Sequence, residues 1–276
     1  MHRLVFVLYV QVLLMAGLVA YGPTVRAAEV EVDVQLVLAV DVSRSMSRAE
    51  LEIQRRGYAA ALADEQVIRA IESGLLGRVA ITYVEWAGTF SQRTVIDWTL
   101  VSNRAEALAL AERLTANFSS ALRRTSITGM LDHGAPLFEG NGFTSLRRII
   151  DISGDGPNNQ GGLVTLARDR TLAKGIVING LPLMTREGVG TQFDLDDLDE
   201  YYRQCVIGGP GSFVIPVRSW EEFPSAVRQK LILELAGDTH LPVIKAQLSA
   251  QMPGGYDCQI GEKLWEQFRQ IWQDLP

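Results

Sequence analysis

The sequence predicts an α/β fold: a doubly wound, mostly parallel sheet with one antiparallel edge strand and helices on both faces. Three observations support this fold class. Residues 34–40 are almost wholly apolar, which is typical of a strand buried on both faces. Strand-like segments alternate with helical segments of about 10 to 15 residues, the pattern of parallel α/β sheets. No repeat of about 20 to 50 residues indicates a solenoid.

The predicted elements follow in chain order. Ser47 and Glu50 have the spacing of a capping box, and the helix that they begin is predicted to end before Gly77. Residues 79–86 and 94–98 are predicted to form a strand and an antiparallel edge strand. Further strands are predicted at 148–153, 176–181 and 213–217, and further helices at 105–118, 126–138, 163–173, 196–205 and 220–236.

Residues 1–27 have the pattern of a secretory signal peptide. An apolar run from residue 4 to residue 20 follows Arg3, and small residues at the −3 and −1 positions favour cleavage after Ala27. An uncleaved anchor is the alternative, although an apolar core of about 17 residues is at the short limit for a membrane span. We therefore expect a periplasmic or secreted protein with no membrane span after cleavage.

The exported part is predicted to be one domain at 28–239 followed by a C-terminal extension at 240–276. A weak helical pattern in the extension predicts that it packs on the domain through four apolar side chains, Leu264, Trp265, Phe268 and Ile271. Loss of Arg3 and Arg26 with the signal segment changes the net charge from −6 to −8. This acidic balance gives no support for nucleic acid as a partner.

The two cysteines, Cys205 and Cys258, lie in the last third of the chain. Export places them in a compartment where disulfides persist, so a Cys205–Cys258 bridge is a candidate. Two buried free thiols are the alternative. A single pair of cysteines in the sequence does not decide between a disulfide and free thiols. A metal site is disfavoured, since neither cysteine has another cysteine or a histidine at ligand spacing.

Oxygen-bearing side chains alternate directly after the first predicted strand, at Asp41, Ser43 and Ser45. In an extended loop they offer one carboxylate and two hydroxyls on the same side. Oxygen ligands are what a hard cation such as Mg²⁺ prefers, with one or two carboxylates and several waters. Ordinary capping and turn formation is the competing interpretation of these residue types.

This Asp-x-Ser-x-Ser pattern resembles the opening motif of the metal-ion-dependent adhesion site in von Willebrand factor type A domains. In that family a later threonine adds a ligand, and Thr125 resembles it, with Thr128 as the alternative. A third loop supplies an aspartate after a hydrophobic strand. Asp155 resembles this residue, although Gly154 stands where the family typically has threonine.

The resemblance covers about residues 33–236 and implies a metal site and a mode of binding. The implied cation is Mg²⁺, with Mn²⁺ and Ca²⁺ as alternatives, and its implied partner is a protein whose Asp or Glu carboxylate completes the coordination. Residues 151–159 and 206–211 resemble more specifically a bacterial group of exported proteins with no assigned activity. The implied ligand set is Asp41, Ser43, Ser45, Thr125 and Asp155.

Two features depart from the family pattern. Arg123 and Arg124 stand where small glycines are usual; a solvated loop is the favoured interpretation and ligand steering the alternative. Asp151 is an acid inside a predicted buried strand, where an isolated ionised carboxylate is very costly. We expect either a partner, such as an arginine from a nearby loop, or a position at an exposed end of the sheet.

The sequence favours a binding module over an enzyme. It has no Gly-x-Ser-x-Gly elbow and no His-Glu-x-x-His helix, and His133 is interpreted as a core or surface histidine rather than a base. A metal-dependent hydrolase with Asp155 as base is one alternative. A structural envelope-assembly module with a silent site is another.

Overall fold

The computed structural model describes residues 28–116, 121–185, 194–236 and 255–273. The predicted signal peptide and the predicted domain boundary at residues 239 and 240 lie outside these ranges. Within the described ranges, no helix is both long enough and apolar enough to cross a membrane.

Strands and helices alternate along the chain as predicted. The strands are β1 (Val30–Asp41), β2 (Val79–Trp86), β3 (Gln92–Val101), β4 (Phe143–Gly154) and β5 (Ile176–Pro182). The helices are α1 (Arg48–Leu62), α2 (Glu65–Glu72), α3 (Arg104–Thr115), α4 (Ile127–Gly134), α5 (Val164–Ala173), α6 (Leu198–Tyr201), α7 (Phe223–Leu235) and α8 (Ile260–Gln273). A 3₁₀ turn (Ala135–Phe138) follows α4, and a π-helical turn (Tyr202–Val206) follows α6.

The sheet has the strand order β3-β2-β1-β4-β5. β1 pairs in parallel with β2 and β4, β4 pairs in parallel with β5, and β3 is the antiparallel edge strand next to β2. The predicted fold class is therefore confirmed. Because Val40 is in register with Ser153, β1 and β4 end side by side and their following loops leave the same edge of the sheet.

The core has one layer on each face of the sheet. Leu36 and Leu38 of β1 belong to the cluster that includes side chains of α1, α2, α3 and α7. Val37 and Ala39 belong to the cluster on the opposite face, with α4, α5 and α6. Residues 34–40 are buried throughout, which confirms the prediction of a strand covered on both sides.

Two element predictions are wrong. The predicted single helix before Gly77 is two helices, because the Asp64 side chain accepts a hydrogen bond from Gln66 N and begins α2. The predicted strand at 213–217 runs beside β5 but makes only isolated bridges, at Val214 and Val217. Ile215 N and Val217 N donate to Gly180 O and Pro182 O, but Pro182 has no N–H to donate back to residue 215, so the ladder is interrupted there.

Candidate metal centre

Asp41, the last residue of β1, is fully buried. Its Oδ1 accepts a hydrogen bond from the backbone N–H of Ser43 at 2.7 Å, which turns the chain out of the strand. Its Oδ2 is also buried but has no hydrogen-bond partner among the described residues. A buried, unpartnered carboxylate oxygen is costly, so this atom is suited to a cation or to a water bound to one.

Ser43 and Ser45 connect the β1 loop to the β4 loop. Their Oγ atoms are 2.9 Å apart, and Ser45 Oγ donates to Asp155 Oδ1 at 2.9 Å. Asp155 follows β4 directly, so the parallel pairing of β1 with β4 places it opposite the serines. Four of the predicted ligands, Asp41 included, thus lie at one end of the two central strands.

Thr125 reaches the same place from a third loop. Its N–H donates to Asn159 Oδ1 at 3.0 Å, and its carbonyl accepts from Asn159 N at 2.9 Å. Thr125 lines the cleft that Ser43, Ser45 and Asp155 also line. Thr128, the alternative, is buried elsewhere, and its hydroxyl donates to the carbonyl of Gly162 at 3.0 Å. The structure therefore brings Thr125, rather than Thr128, to the serines and Asp155.

The two aspartates are close enough to perturb each other. Burial raises the pKa of Asp41 well above its usual value, and the nearby charge of Asp155 raises it further. Burial also raises the pKa of Asp155 to about 6, against the lowering effect of the hydrogen bond from Ser45. A bound cation would stabilise both carboxylates in their charged form.

The donor set fits a hard divalent cation. Among the described residues, no group of three or more His, Cys, Asp and Glu side chains is placed to hold a metal ion. A cation here would instead depend on two carboxylates and three hydroxyls, all oxygen donors. Oxygen-only ligation with few protein charges suits Mg²⁺, which retains several waters.

The cleft above these residues is covered in part by the C-terminal helix. Its volume is about 910 Å³, and Trp265 and Phe268 of α8 line it together with the three loops. Asp194 also lines it and contributes to the raised pKa of Asp155. At the first turn of α8, Glu262 Oε1 accepts a hydrogen bond from Asn158 Nδ2 at 2.6 Å. The extension is therefore part of the site.

Arg124 contacts this helix. Its guanidinium carbon lies 3.3 Å from the centroid of the Trp265 ring. Arg123 is exposed, which agrees with the interpretation of this segment as a solvated loop. Arg124 is half-buried, so the solvated-loop interpretation is wrong for Arg124. Of the side chains predicted to dock the extension, Trp265 and Phe268 line the cleft, whereas Ile271 is 59% exposed and does not help to dock the helix.

Cys205 and Cys258 form a disulfide across a sequence separation of 53 residues. Cys205 lies in the π-helical turn beside the sheet, and Cys258 lies two residues before α8. The bridge therefore attaches the start of α8 to the domain.

Asp151 of β4 is 1% exposed, so it does not lie at an exposed end of the sheet. Its partner is not an arginine from a loop, as we suggested above, but Lys230 of α7, whose Nζ lies 2.5 Å from Asp151 Oδ1. The sequence pattern missed this because the lysine is distant in sequence and occupies a buried helix position, which is unusual for its residue type.

Several residues of the site were not singled out from the sequence. Asn158 and Asn159 hold the Thr125 and Thr128 backbone through their side-chain amides. Their position directly after the Asp155 loop was the available signal. No sequence signal pointed to Asp194 or to the placement of Trp265 over the cleft, since both depend on tertiary contacts. His133 is half-buried on α4 and does not line the cleft, and burial lowers its pKa.

The doubly wound sheet with one antiparallel edge strand, and with three oxygen-bearing loops at its carboxyl edge, has a von Willebrand factor A-like fold. Within that class, the chain belongs to the family described as "Protein of unknown function (DUF1194)", which matches residues 31–239. No curated protein matches the chain.

Solved structures with similar folds are named as adhesive or matrix proteins. The pilus adhesin SpaC from Lactobacillus rhamnosus GG has a TM-score of 0.53 at 11% identity, over 75% of this chain and 32% of the adhesin. Proximal thread matrix protein 1 from the mussel byssus, with a zinc-occupied metal-ion-dependent adhesion motif, has a TM-score of 0.52 at 18% identity, over 76% of this chain and 50% of that protein. The chain thus spans a third to a half of these proteins, and the likeness shows the fold.

Proposed function

We propose that this chain is an exported binding module in which a divalent cation at the β1–β4 edge captures a carboxylate of a protein partner. The cation, Mg²⁺ in the first instance, would be held by the side chains of five residues: Asp41, Ser43, Ser45, Thr125 and Asp155. When bound, it supplies an electrophilic position that an Asp or Glu side chain of the partner can fill.

The observation that supports this proposal most strongly is the hydrogen-bonded row Ser43–Ser45–Asp155 beside the unpartnered Oδ2 of Asp41. Three hydroxyls and the Asp155 carboxylate line one cleft, and the Asp41 carboxylate is buried at the end of β1, two residues before Ser43. Ordinary capping and turn formation does not require side chains of three separate loops to meet. Only two of the five proposed ligands are acids, so the ligands themselves do not over-neutralise a divalent cation, and the exposed Arg123 at the rim offsets the charge of Asp194.

Access to the cation would depend on α8. Trp265 and Phe268 line the cleft, and Arg124 is engaged with the Trp265 ring. A partner carboxylate therefore reaches the site either alongside α8 or after this helix has moved. Arg123, exposed at the rim, adds a positive charge that favours an acidic partner.

Titration calorimetry with Mg²⁺ and Mn²⁺ tests the cation step. The wild-type chain should bind one ion, Asp41→Ala should abolish binding, and Ser45→Ala should weaken it. Asp97→Ala is the matched control, because Asp97 is exposed on β3, away from the cleft. If the wild type binds neither metal, or if Asp41→Ala binds as well as Asp97→Ala does, the cation site is refuted.

The capture step needs a separate experiment. Wild-type, Asp41→Ala and Asp97→Ala chains are immobilised and exposed to proteins from the exported compartment, with and without chelator. The proposal predicts a partner that is retained by the wild type and Asp97→Ala, and that is lost with chelator and with Asp41→Ala. Retention that is unaffected by either treatment would favour a structural module with a silent site.

A further inference from the structure

A second cluster of ionisable side chains lies inside the molecule, away from the cleft. Lys230 and Glu234 of α7 and Asp151 of β4 are each at most 1% exposed. Nζ of Lys230 is 2.5 Å from Asp151 Oδ1 and also contacts Glu234 Oε1. An amine and two carboxyl groups therefore meet in a space that solvent does not reach.

We propose that Lys230 and Asp151 condense into an isopeptide bond that joins α7 to β4, and that Glu234 carries the protons in this reaction. The amine of Lys230 is the nucleophile and Cγ of Asp151 is the electrophile. The product is an amide between Nζ and Cγ, and one water molecule is released.

The geometry favours this reaction because the reacting groups are held in contact by the fold. Nζ of Lys230 and Oδ1 of Asp151 form a buried ion pair at 2.5 Å, and Oδ2 of Asp151 has no hydrogen-bond partner among the described residues. Reacting atoms held at about 3 to 3.5 Å gain effective molarities that a free amine and acid never reach.

The surroundings also favour the neutral product. Phe213 places its ring centroid 5.6 Å from Nζ, and Tyr58 and Tyr83 are fully buried on the same face of the sheet. With all three groups charged, the cluster carries one net negative charge in an apolar setting, which is very costly. Burial, with a smaller contribution from the charge of Glu234, raises the pKa of Asp151 to about 7 against the opposing effect of Lys230. Asp151 can therefore hold a proton near neutral pH, and the protonated acid is the better electrophile.

The proton and water balance closes within the cluster. Lys230 transfers one proton from its ammonium group to a carboxylate, and the free electron pair of Nζ attacks Cγ of protonated Asp151. Glu234 accepts a second proton from nitrogen and delivers it to the departing hydroxyl group, so that the C–O bond breaks and water leaves. The net change converts one ammonium and one carboxylate into one amide and one water.

The position of Glu234 suits this role. Its Oε1 contacts Lys230 Nζ and accepts a hydrogen bond from Asn179 Nδ2 at 2.9 Å, while its Oε2 has no hydrogen-bond partner among the described residues. A cavity of about 330 Å³, lined in part by Glu234, Asn179 and Phe213, lies next to the cluster and offers the released water a way out.

Intact mass spectrometry of the reduced, denatured full chain tests the proposal. Wild-type protein should be lighter than its sequence mass by one water molecule, and Lys230→Met should have its full sequence mass. A tryptic digest should show the peptide that begins after Arg148 joined to the peptide that begins after Arg228, with no cleavage after Lys230. Wild-type protein at its full sequence mass would overturn the proposal, whether or not the variants fold.

Two further variants examine the chemistry. Asp151→Asn should still cross-link but lose the mass of ammonia, because an amide then replaces the acid as electrophile. Glu234→Gln keeps the shape of the side chain but cannot carry protons, so most molecules should remain uncross-linked. If Glu234→Gln cross-links as completely as the wild type, the assigned role of Glu234 is wrong.

Discussion

The guanidinium carbon of Arg124 lies 3.3 Å from the ring centroid of Trp265, so the loop that supplies Thr125 is in direct contact with α8. Arg124 is also the one non-glycine residue with a positive φ, 75°, in the part of the chain that the structure describes. Such a backbone conformation persists only where its surroundings hold it, at a cost of about 1 to 3 kcal/mol. The conformation of the Thr125 loop and the position of α8 are therefore coupled.

We expect Trp265→Ala to loosen the Thr125 loop. The substitution removes a cation–π contact of roughly 0.5 to 2 kcal/mol and uncovers part of the cleft. Hydrogen exchange followed by mass spectrometry should show faster exchange in peptides covering residues 121–126. Ile271→Ala is the control, because Ile271 is on the same helix but exposed. Equal exchange in both variants would mean that α8 does not hold the loop.

Loss of the disulfide should release α8 more than it affects the sheet. Cys205 and Cys258 are separated by 53 residues, and a bridge closing a loop of this size stabilises a protein by about 2 to 4 kcal/mol. The paired substitution Cys205→Ser and Cys258→Ser should lower the melting temperature and speed exchange across 255–273. Unchanged exchange in α8 would show that its contacts with Arg124 and Asn158 suffice without the bridge.

Without metal, Asp155→Asn should stabilise the protein at pH 7. The folded-state pKa of Asp155 is raised to about 6, so between its unfolded value near 3.8 and this value the folded state binds more protons, and stability falls as pH rises. A neutral amide removes this loss. The expected gain is on the order of 1 kcal/mol, since the carboxyl is partly exposed to the cleft and its charge is screened.

Thermal melts in chelator at pH 4.5 and pH 7 check this prediction. The wild type should lose stability between the two values relative to Asp155→Asn. Added Mg²⁺ should stabilise the wild type at pH 7 but not the variant. A variant that is less stable than the wild type at pH 7 in chelator would show that the Asp155 carboxylate is already compensated by the protein itself.

The sequence predicted the fold class well because its main signals are local. The apolar run of β1, the capping box at Ser47 and the alternating strand and helix patterns all depend on neighbours in the chain. The prediction of a strand at 213–217 was wrong because a ladder also depends on the neighbouring strand, and Pro182 of β5 has no N–H to donate to it. The lysine opposite Asp151 and the aromatic side chains over the cleft are tertiary contacts that no local pattern indicates.

The loops of the candidate site could be predicted from the sequence, since each loop follows a recognisable strand or opens a recognisable helix; that their side-chain oxygens bind a metal stays a prediction. The structure brings the predicted loops together at one cleft, which Thr125 lines, whereas the Thr128 hydroxyl donates to the carbonyl of Gly162. The structure also adds Asn158, Asn159 and α8 to the site. Their roles depend on tertiary contacts, which no spacing of residues along the sequence indicates.

The central claim is that a divalent cation binds between the three loops. A crystal of the full chain soaked in Mn²⁺ tests it most directly, because manganese gives an anomalous signal that identifies the ion by itself. The account predicts one anomalous peak in the cleft, within coordination distance of Ser43, Ser45 and Thr125 and beside both aspartates. A fully soaked crystal with no peak there, or with a peak only elsewhere on the surface, would contradict it.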